Sequence, residues 1–148
     1  MDPLAVVDTN VLLRLLQPGH PQYSVASAAI TNLRGQFDLC MLPQNLVEFW
    51  SVATRPPATN GLGLRPLTAT AEIRGLRNLF RLLEGKPGIA DEWEQLVARH
   101  LVAGKQAHDA HLVAAMNAYG VRHLLTFNGD DFKRYGLQVI APDAVSVS

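Results

Sequence analysis

The sequence predicts an α/β fold, with a central and mainly parallel β-sheet flanked by helices. Three observations indicate this class. Short apolar runs alternate with segments of helical periodicity along the chain. Hydrophobic residues make up 48% of the chain and charged residues 18%, which is typical of a globular protein. The length of 148 residues is that of one domain, so residues 1–148 are expected to form a single unit.

The first half of the chain contains two predicted strands and three predicted helices. Strands are expected where apolar, β-branched runs are short, and helices where apolar residues recur every three or four positions. Proline favours the first turn of a helix and ends a preceding one. In order, the elements are strand Leu4–Val7, a helix from about Asn10 that ends before Pro18, helix Gln22–Leu33, strand Phe37–Leu42, and a helix from Pro43 through Thr54.

The second half begins with residues 55–67, whose Pro and Gly content predicts a mobile loop. A helix is then predicted over Thr68–Leu83, with Ile73, Leu76, Phe80 and Leu83 facing inward. The remaining predicted elements are a short strand near Ile89, helix Glu92–His100, helix Gln106–Ala118 ending at Gly120, strand Val121–Thr126, a short helix, and strand Leu137–Ala141.

Charge and cysteine content restrict the class of protein. Thirteen basic and thirteen acidic residues cancel, so a polyanionic partner would need a local basic patch. The single cysteine, Cys40, cannot form an internal disulfide, which suggests a reduced, cytoplasmic location. The N-terminal apolar run is too short for a signal peptide, and no segment has the length of a membrane span.

Asp8 stands where the first predicted strand meets the first predicted helix, in VVDTNVLLRLL at residues 6–16. Asp is a favourable helix N-cap, so capping alone would explain it. In parallel α/β sheets, however, ligand sites lie beyond the carboxyl ends of the strands, and Asp8 follows such an end. A catalytic role is therefore the alternative to capping.

Two further acids interrupt apolar helices. Glu48 lies inside the apolar sequence LVEFW, either on a solvated helix face or in a site. Asp109 precedes three apolar residues of its helix by three, four and seven positions, so it belongs to the predicted buried stripe. Burying an unpaired carboxylate is costly, so a partner, a cation or a place in the exposed first turn must explain Asp109.

The fourth acidic position is the loop TFNGDDF at residues 126–132. Asn128-Gly129 could form a hairpin turn, but the residues beyond it do not alternate in polarity. A loop that leads into a short helix, capped by Asp130 or Asp131, is the better prediction. In a parallel sheet, all four acidic positions could converge on one rim, where carboxylates would need a cation. An all-oxygen ligand set favours Mg²⁺ or Mn²⁺, which activates water for attack on a phosphodiester.

The four segments VVDTNVLLRLL, NLVEFW, KQAHDAHLVAAM and LLTFNGDDF, in this order and spacing, resemble the PIN-domain ribonucleases. The likeness is greatest to VapC-type toxins of bacterial toxin–antitoxin pairs, and it runs from about residue 5 to the final strand. It implies a single PIN-like domain that cuts single-stranded or looped RNA with Mg²⁺ or Mn²⁺ and leaves a 5′-phosphate and a 3′-hydroxyl. It also implies a homodimer and a cognate antitoxin that blocks the site.

The resemblance implies a role for each acidic segment. Catalysis and metal binding would fall to Asp8, Glu48, Asp109 and Asp131. Thr9 and Asn10 would support Asp8 through their hydroxyl and amide groups, and Asn128, where many relatives have Asp, would orient a ligand without bearing charge. Asp131 is preferred to Asp130 because it directly precedes the aromatic Phe132.

Arg74, Arg77 and Arg81 form a stripe at i, i+3 and i+7 on the predicted helix. The stripe is either a solvated helix face or a track for RNA phosphates, and the neutral net charge makes a local track more necessary if RNA is bound.

Two other classes of protein compete with a ribonuclease. A degenerate PIN scaffold would bind RNA or protein without cutting, but none of the four acids is missing. A metal phosphohydrolase that acts on small phosphate esters is suggested by the doublet His108-Asp109, but the predicted strands contradict that all-helical fold. Haloacid dehalogenase-type phosphatases need an acid two residues after the first, where this chain has Asn10. His108 and His111 are therefore interpreted as polar helix residues.

Overall fold

A computed structural model describes residues 2–145 and shows an α/β domain built on one parallel sheet within those residues. The prediction of the fold class is confirmed. Five strands lie in the order β3-β2-β1-β4-β5, and every neighbouring pair is parallel. They are β1 Leu4–Val7, β2 Asp38–Met41, β3 Arg81–Leu82, β4 His123–Leu125 and β5 Gln138–Ile140.

The helices follow proline and glycine signals in the sequence. Pro43 and Pro66 occupy the first turn of their helices, where the missing N–H is harmless, and Gly120 takes a positive φ of 69° after α6. The helices are α1 Thr9–Arg14, α2 Tyr23–Leu33, α3 Pro43–Thr54, α4 Pro66–Leu79, α5 Ile89–Arg99, α6 Gln106–Ala118 and α7 Pro142–Val145, with short 3₁₀ turns at Pro57–Thr59 and Gly129–Tyr135.

The sheet divides the core into two halves because successive strand residues point to opposite faces. Ala5 and Val7 of β1 pack with the buried side chains of α1 to α4, while Val6 packs with α5, α6 and Phe132. The domain is therefore a three-layer sandwich. None of the helices within residues 2–145 is long and apolar enough to cross a membrane.

The strand order reverses direction beside β1. The chain proceeds from β1 outward through β2 and β3, then returns to place β4 on the other side of β1. In open α/β sheets, the crevice at such a switch point is where ligands bind. The carboxyl ends of β1 and β4 flank this crevice, and Asp8 directly follows β1.

Two predictions about the middle of the chain are wrong. The helix predicted to reach Leu83 ends at Leu79, and the strand expected near Ile89 lies at Arg81–Leu82. Phe80 is extended (φ −124°, ψ 138°), and the following two residues pair with Cys40 and Met41 of β2. The apolar spacing of this segment fits a longer helix equally well, and only the pairing with β2 distinguishes the two.

Residues 55–67 pack onto the end of α3, although their composition predicted a mobile loop. The amides of Leu62, Gly63 and Leu64 donate to carbonyls of Val52, Arg55 and Ala53 at 2.8 to 3.0 Å. The loop is therefore fixed by backbone hydrogen bonds.

Candidate active site

Asp8 is held at the switch point between β1 and β4. Its amide donates to the carbonyl of Leu125 at 2.9 Å. Its carboxylate accepts hydrogen bonds from the Thr9 amide at 2.8 Å and from the Thr126 hydroxyl at 2.8 Å, with a longer contact of 3.4 Å to the amide of Asn10. Asp8 is also the N-cap of α1, so the capping interpretation holds together with a position in the crevice.

Glu48 is joined to the same crevice by Thr9. The Thr9 hydroxyl donates to Glu48 Oε1 at 3.0 Å and accepts from the Asn45 amide at 3.2 Å. Asn45 is fully buried, and its Oδ1 accepts from the amide of Leu42 at the start of α3. The Thr9 hydroxyl thus supports Glu48, whereas the resemblance implied that it supports Asp8.

Asp109 lies in the first turn of α6 and is half-buried. The predicted buried stripe is present, since Leu112, Val113 and Met116 are all buried. The carbonyl of the preceding residue, His108, accepts a hydrogen bond of 2.7 Å from Gln44, one turn before Glu48. Gln44 therefore ties α3 to α6.

Asp130 and Asp131 differ in their surroundings. Asp130 forms an ion pair of 2.8 Å with Lys133, and its side chain is 89% exposed. Asp131 is also exposed, but its charge interacts with Asp8 and Asp109 across the crevice. Both lie in the first turn of the 3₁₀ segment whose cap position is Asn128, so neither caps it as predicted. Asp131 therefore stays the better prediction for the fourth acid.

The carboxylates perturb one another. Burial raises the pKa of Asp8 to about 6, with smaller contributions from Glu48 and Asp131, although the hydrogen bonds from Thr126 and Thr9 oppose the rise. Burial also raises the pKa of Asp109 to about 6, and the charges of the other three acids add to it. All four predicted acids thus interact at one rim, an arrangement typical of functional sites.

The donor set of this rim fits a hard divalent cation. All four side chains offer carboxylate oxygens, the ligands that Mg²⁺ and Mn²⁺ prefer, and a cation would relieve the repulsion that helps to raise both pKa values. In residues 2–145, however, no three acid, His or Cys side chains are already close enough to enclose an ion. The acids surround a crevice, and a cation would have to draw them together.

Sequence reasoning missed two site residues, Thr126 and Asn45. Thr126 is 1% exposed and both donates to Asp8 and accepts from Asn10. The signal was present, since each is a polar residue inside an apolar run. For Asn128, only the backbone amide has a hydrogen bond among the described residues, to Thr126, so its predicted ligand-orienting role is not visible here.

The predicted arginine stripe is wrong for Arg81. Arg74 and Arg77 are exposed on α4, but Arg81 lies on β3. Its guanidinium forms an ion pair of 3.0 Å with Asp38, the first residue of β2, at the edge of the sheet opposite the acids. The RNA-binding role of Arg74 and Arg77 stays a prediction.

A model of the PIN domain matches residues 5–137. The chain belongs to the PIN-domain family. A curated relative, ribonuclease VapC24 of Mycobacterium tuberculosis, is 25% identical over 135 residues, which cover 88% of this chain and 90% of that protein.

Solved PIN structures share this fold. VapBC of Salmonella typhimurium, solved with bound DNA, superimposes with a TM-score of 0.69 at 17% identity, over 96% of this chain and 99% of its own. VapC20 of Mycobacterium tuberculosis, a sarcin–ricin loop cleaving toxin, does so with a TM-score of 0.67 at 20% identity, over 91% and 98%.

Proposed function

We propose that this PIN domain is a divalent-metal-dependent endoribonuclease, the toxin of a toxin–antitoxin pair. The observation that carries the proposal is the set of four interacting carboxylates at the switch point of a parallel sheet, two of which have pKa values raised to about 6. The relative VapC24 carries the name ribonuclease, and VapC20 is described as cutting the sarcin–ricin loop, which supports RNA as the substrate.

Asp8, Glu48, Asp109 and Asp131 would hold one or two Mg²⁺ or Mn²⁺ ions. When bound, such an ion activates water and neutralises the charge that develops on a phosphodiester. Asp8 would be the central ligand because Thr9 and Thr126 fix its carboxylate and favour its charged form. Holding the ligands in place before the substrate arrives is the main contribution that a protein makes to such a site.

The second acid is held by a separate chain of hydrogen bonds. Asn45 donates to Thr9, and Thr9 donates to Glu48, so the Glu48 carboxylate is anchored to the start of α1 through one oxygen. Its other oxygen has no hydrogen-bond partner among residues 2–145 and is free to bind a cation. Since Glu48 has the longest side chain of the four acids, its movement would close the crevice with the least change of backbone.

RNA, a second copy of the chain and a cognate antitoxin are the proposed partners. Several structural neighbours were solved as toxin–antitoxin complexes, including VapBC-1 of Haemophilus influenzae, which supports an antitoxin. An apolar groove between α3 and α4, with Val47 70% and Trp50 37% exposed, offers surface for a protein contact. The homodimer rests on the resemblance to VapC toxins. The unpaired, buried Cys40 fits a cytoplasmic site of action.

RNA cleavage by the purified protein tests the proposal. Wild-type protein and the Asp8→Asn variant are incubated with a structured RNA in Mg²⁺, in Mn²⁺ and in EDTA. We expect cleavage by the wild type with either metal, none in EDTA, and products with 5′-phosphate ends. RNA that is bound but intact with both metals would instead indicate a non-cutting PIN scaffold. Hydrolysis of a small phosphate diester with no action on RNA would indicate a phosphohydrolase.

A further inference from the structure

Arg55 ends α3 at one side of the acidic crevice. Glu48 and Arg55 lie on the same face of α3, about two helical turns apart, which is roughly 10 Å along the axis. Together with Ser51, Val52 and His108 they line an open groove of about 500 Å³. The groove therefore runs from an acid of the candidate active site to an arginine.

The backbone of Arg55 is fixed from two directions. Its amide donates to the carbonyl of Ser51 at 3.2 Å, and its carbonyl accepts from the Gly63 amide at 2.8 Å. Gly61 packs against it so closely that a Cβ at that position would lie 1.9 Å from the Arg55 carbonyl oxygen. Only glycine fits there, so the loop holds the root of the arginine side chain in one place.

The guanidinium has no partner of its own. Arg55 Nε is buried, and within residues 2–145 it has no hydrogen-bond partner, nor does Arg55 form an ion pair there. A buried donor without a partner is costly, and a buried cation more so. By contrast, Arg81 is paired with Asp38, and Arg14 with Gln17 and Gln22. An arginine that is fixed, enclosed and unpaired is ready for an anion that comes from outside the chain.

We propose that Arg55 binds a phosphate of the RNA strand, next to the phosphodiester that is cut. This inference rests on the proposed ribonuclease function. A planar guanidinium matches phosphate oxygens, and a phosphate would supply the acceptor that Nε lacks. A cation is also needed beside four acids, because the chain has no net positive charge to attract RNA. Val47 and Val52 give the groove an apolar wall against which a ribose or base can pack.

Binding of RNA without cleavage tests this site. A short, labelled single-stranded RNA of mixed sequence is titrated in EDTA at several KCl concentrations, with wild type, Arg55→Met and the control Arg99→Met. Arg99 is an exposed arginine on α5, so the control removes the same charge elsewhere. We expect the plot of log affinity against log salt to lose about 0.7 of slope in Arg55→Met, the value for one phosphate contact with a single strand, and to keep its slope in the control.

Two further variants separate binding from folding. Arg55→Met should unfold at the wild-type temperature or above it, because it removes a buried donor that has no partner. Arg55→Gln, neutral but polar, provides the same slope measurement if the Met variant does not fold. Gly61→Ala should weaken RNA binding in the same direction, because it displaces Arg55 without changing any charge.

The outcomes distinguish this inference from the proposed function. An unchanged slope in both Arg55 variants, while the wild type still cuts RNA with Mn²⁺, would overturn the role of Arg55 alone. An equal loss of slope in Arg99→Met would overturn it too, since the effect would then be one of net charge. If the wild type neither binds nor cuts RNA, the proposed function fails and this inference fails with it.

Discussion

The two edges of the sheet treat their acidic residues in opposite ways. At the edge where the strands begin, Asp38 is paired with Arg81 at 3.0 Å, and both side chains are exposed. At the edge where the strands end, Asp8 and Asp109 are more buried, lie among other acids and have raised pKa values. A paired surface acid needs no further explanation, whereas a cluster of partly buried acids destabilises the fold unless it serves a function. Acidity alone therefore does not mark a site, and the absence of a compensating cation does.

Neutralising one acid at each edge should give the largest difference. We expect Asp8→Asn to lower the rate of RNA cleavage at least about 100-fold, the scale of losing one catalytic electrostatic group. Asp38→Asn should leave the rate unchanged, because its partner Arg81 lies away from the crevice. Rates under single-turnover conditions with excess Mn²⁺ decide this, and comparable losses in the two variants would contradict the assignment of the site to the carboxyl edge.

The acidic doublet allows the same comparison between neighbours. Asp131→Asn should reduce metal-dependent cleavage by roughly 10-fold, at the low end for a group that supports a metal site. Asp130→Asn should be nearly silent, because Asp130 is paired with Lys133 in solvent. Cleavage rates of both variants across a range of Mn²⁺ concentrations are the measurement, and a larger loss from Asp130→Asn would reverse the choice between them.

A cation should stabilise the carboxyl edge. Binding only to the folded chain at 100 times its Kd would stabilise it by about 2.7 kcal/mol, which corresponds to roughly 5–10 °C in Tm for a domain of this size. Thermal unfolding at pH 7 with and without Mn²⁺ measures the shift. Asp8→Asn is the matched control and should show little of it, while an equal rise in that variant would place the bound ion elsewhere.

The raised pKa values make the stability of the metal-free protein depend on pH. Asp109 has a pKa of about 6 in the folded chain against 3.8 for the model residue, so the folded state holds this proton more tightly. Its stabilising effect is complete below about pH 4 and is lost as the pH rises through 6. Asp109→Asn should therefore raise the free energy of unfolding at pH 7 by on the order of 1–2 kcal/mol, and change it little at pH 4.

Denaturant unfolding in EDTA at the two pH values measures this effect. Asp130→Asn is the control of opposite sign, because Lys133 holds the pKa of Asp130 below its usual value. A destabilised Asp109→Asn variant at pH 7 would mean that the charged carboxylate is favourable in the fold, contrary to the repulsion inferred at this edge.

The smallest effect is expected from the other edge. Arg81→Ala should cost at most about 1 kcal/mol, because its ion pair with Asp38 is exposed. It should not alter the salt dependence of RNA binding, in contrast to Arg55→Met. A change of slope in Arg81→Ala would return this arginine to the predicted RNA track.

The sequence by itself determined the fold class and most of the elements. Helix α6 lies at the predicted Gln106–Ala118, and the four predicted stripe residues of α2 are all buried, because amphipathic periodicity and proline and glycine positions are local properties. The four acids were also found from the sequence, since each interrupts or ends an apolar pattern. Their catalytic roles stay predictions.

Only the tertiary structure decided which polar groups meet. The switch point between β1 and β4 brings Thr126 to Asp8, and the packing of α1 beside α3 directs Thr9 to Glu48, across more than a hundred and about forty residues respectively. The same holds for Arg81, which left the predicted stripe when its segment paired with β2, and for Arg55, whose isolation is visible only in three dimensions. Local sequence fixes the direction of a side chain relative to its own helix or strand. Its partners depend on how distant elements pack, because hydrogen bonds and charges act through space and not along the chain.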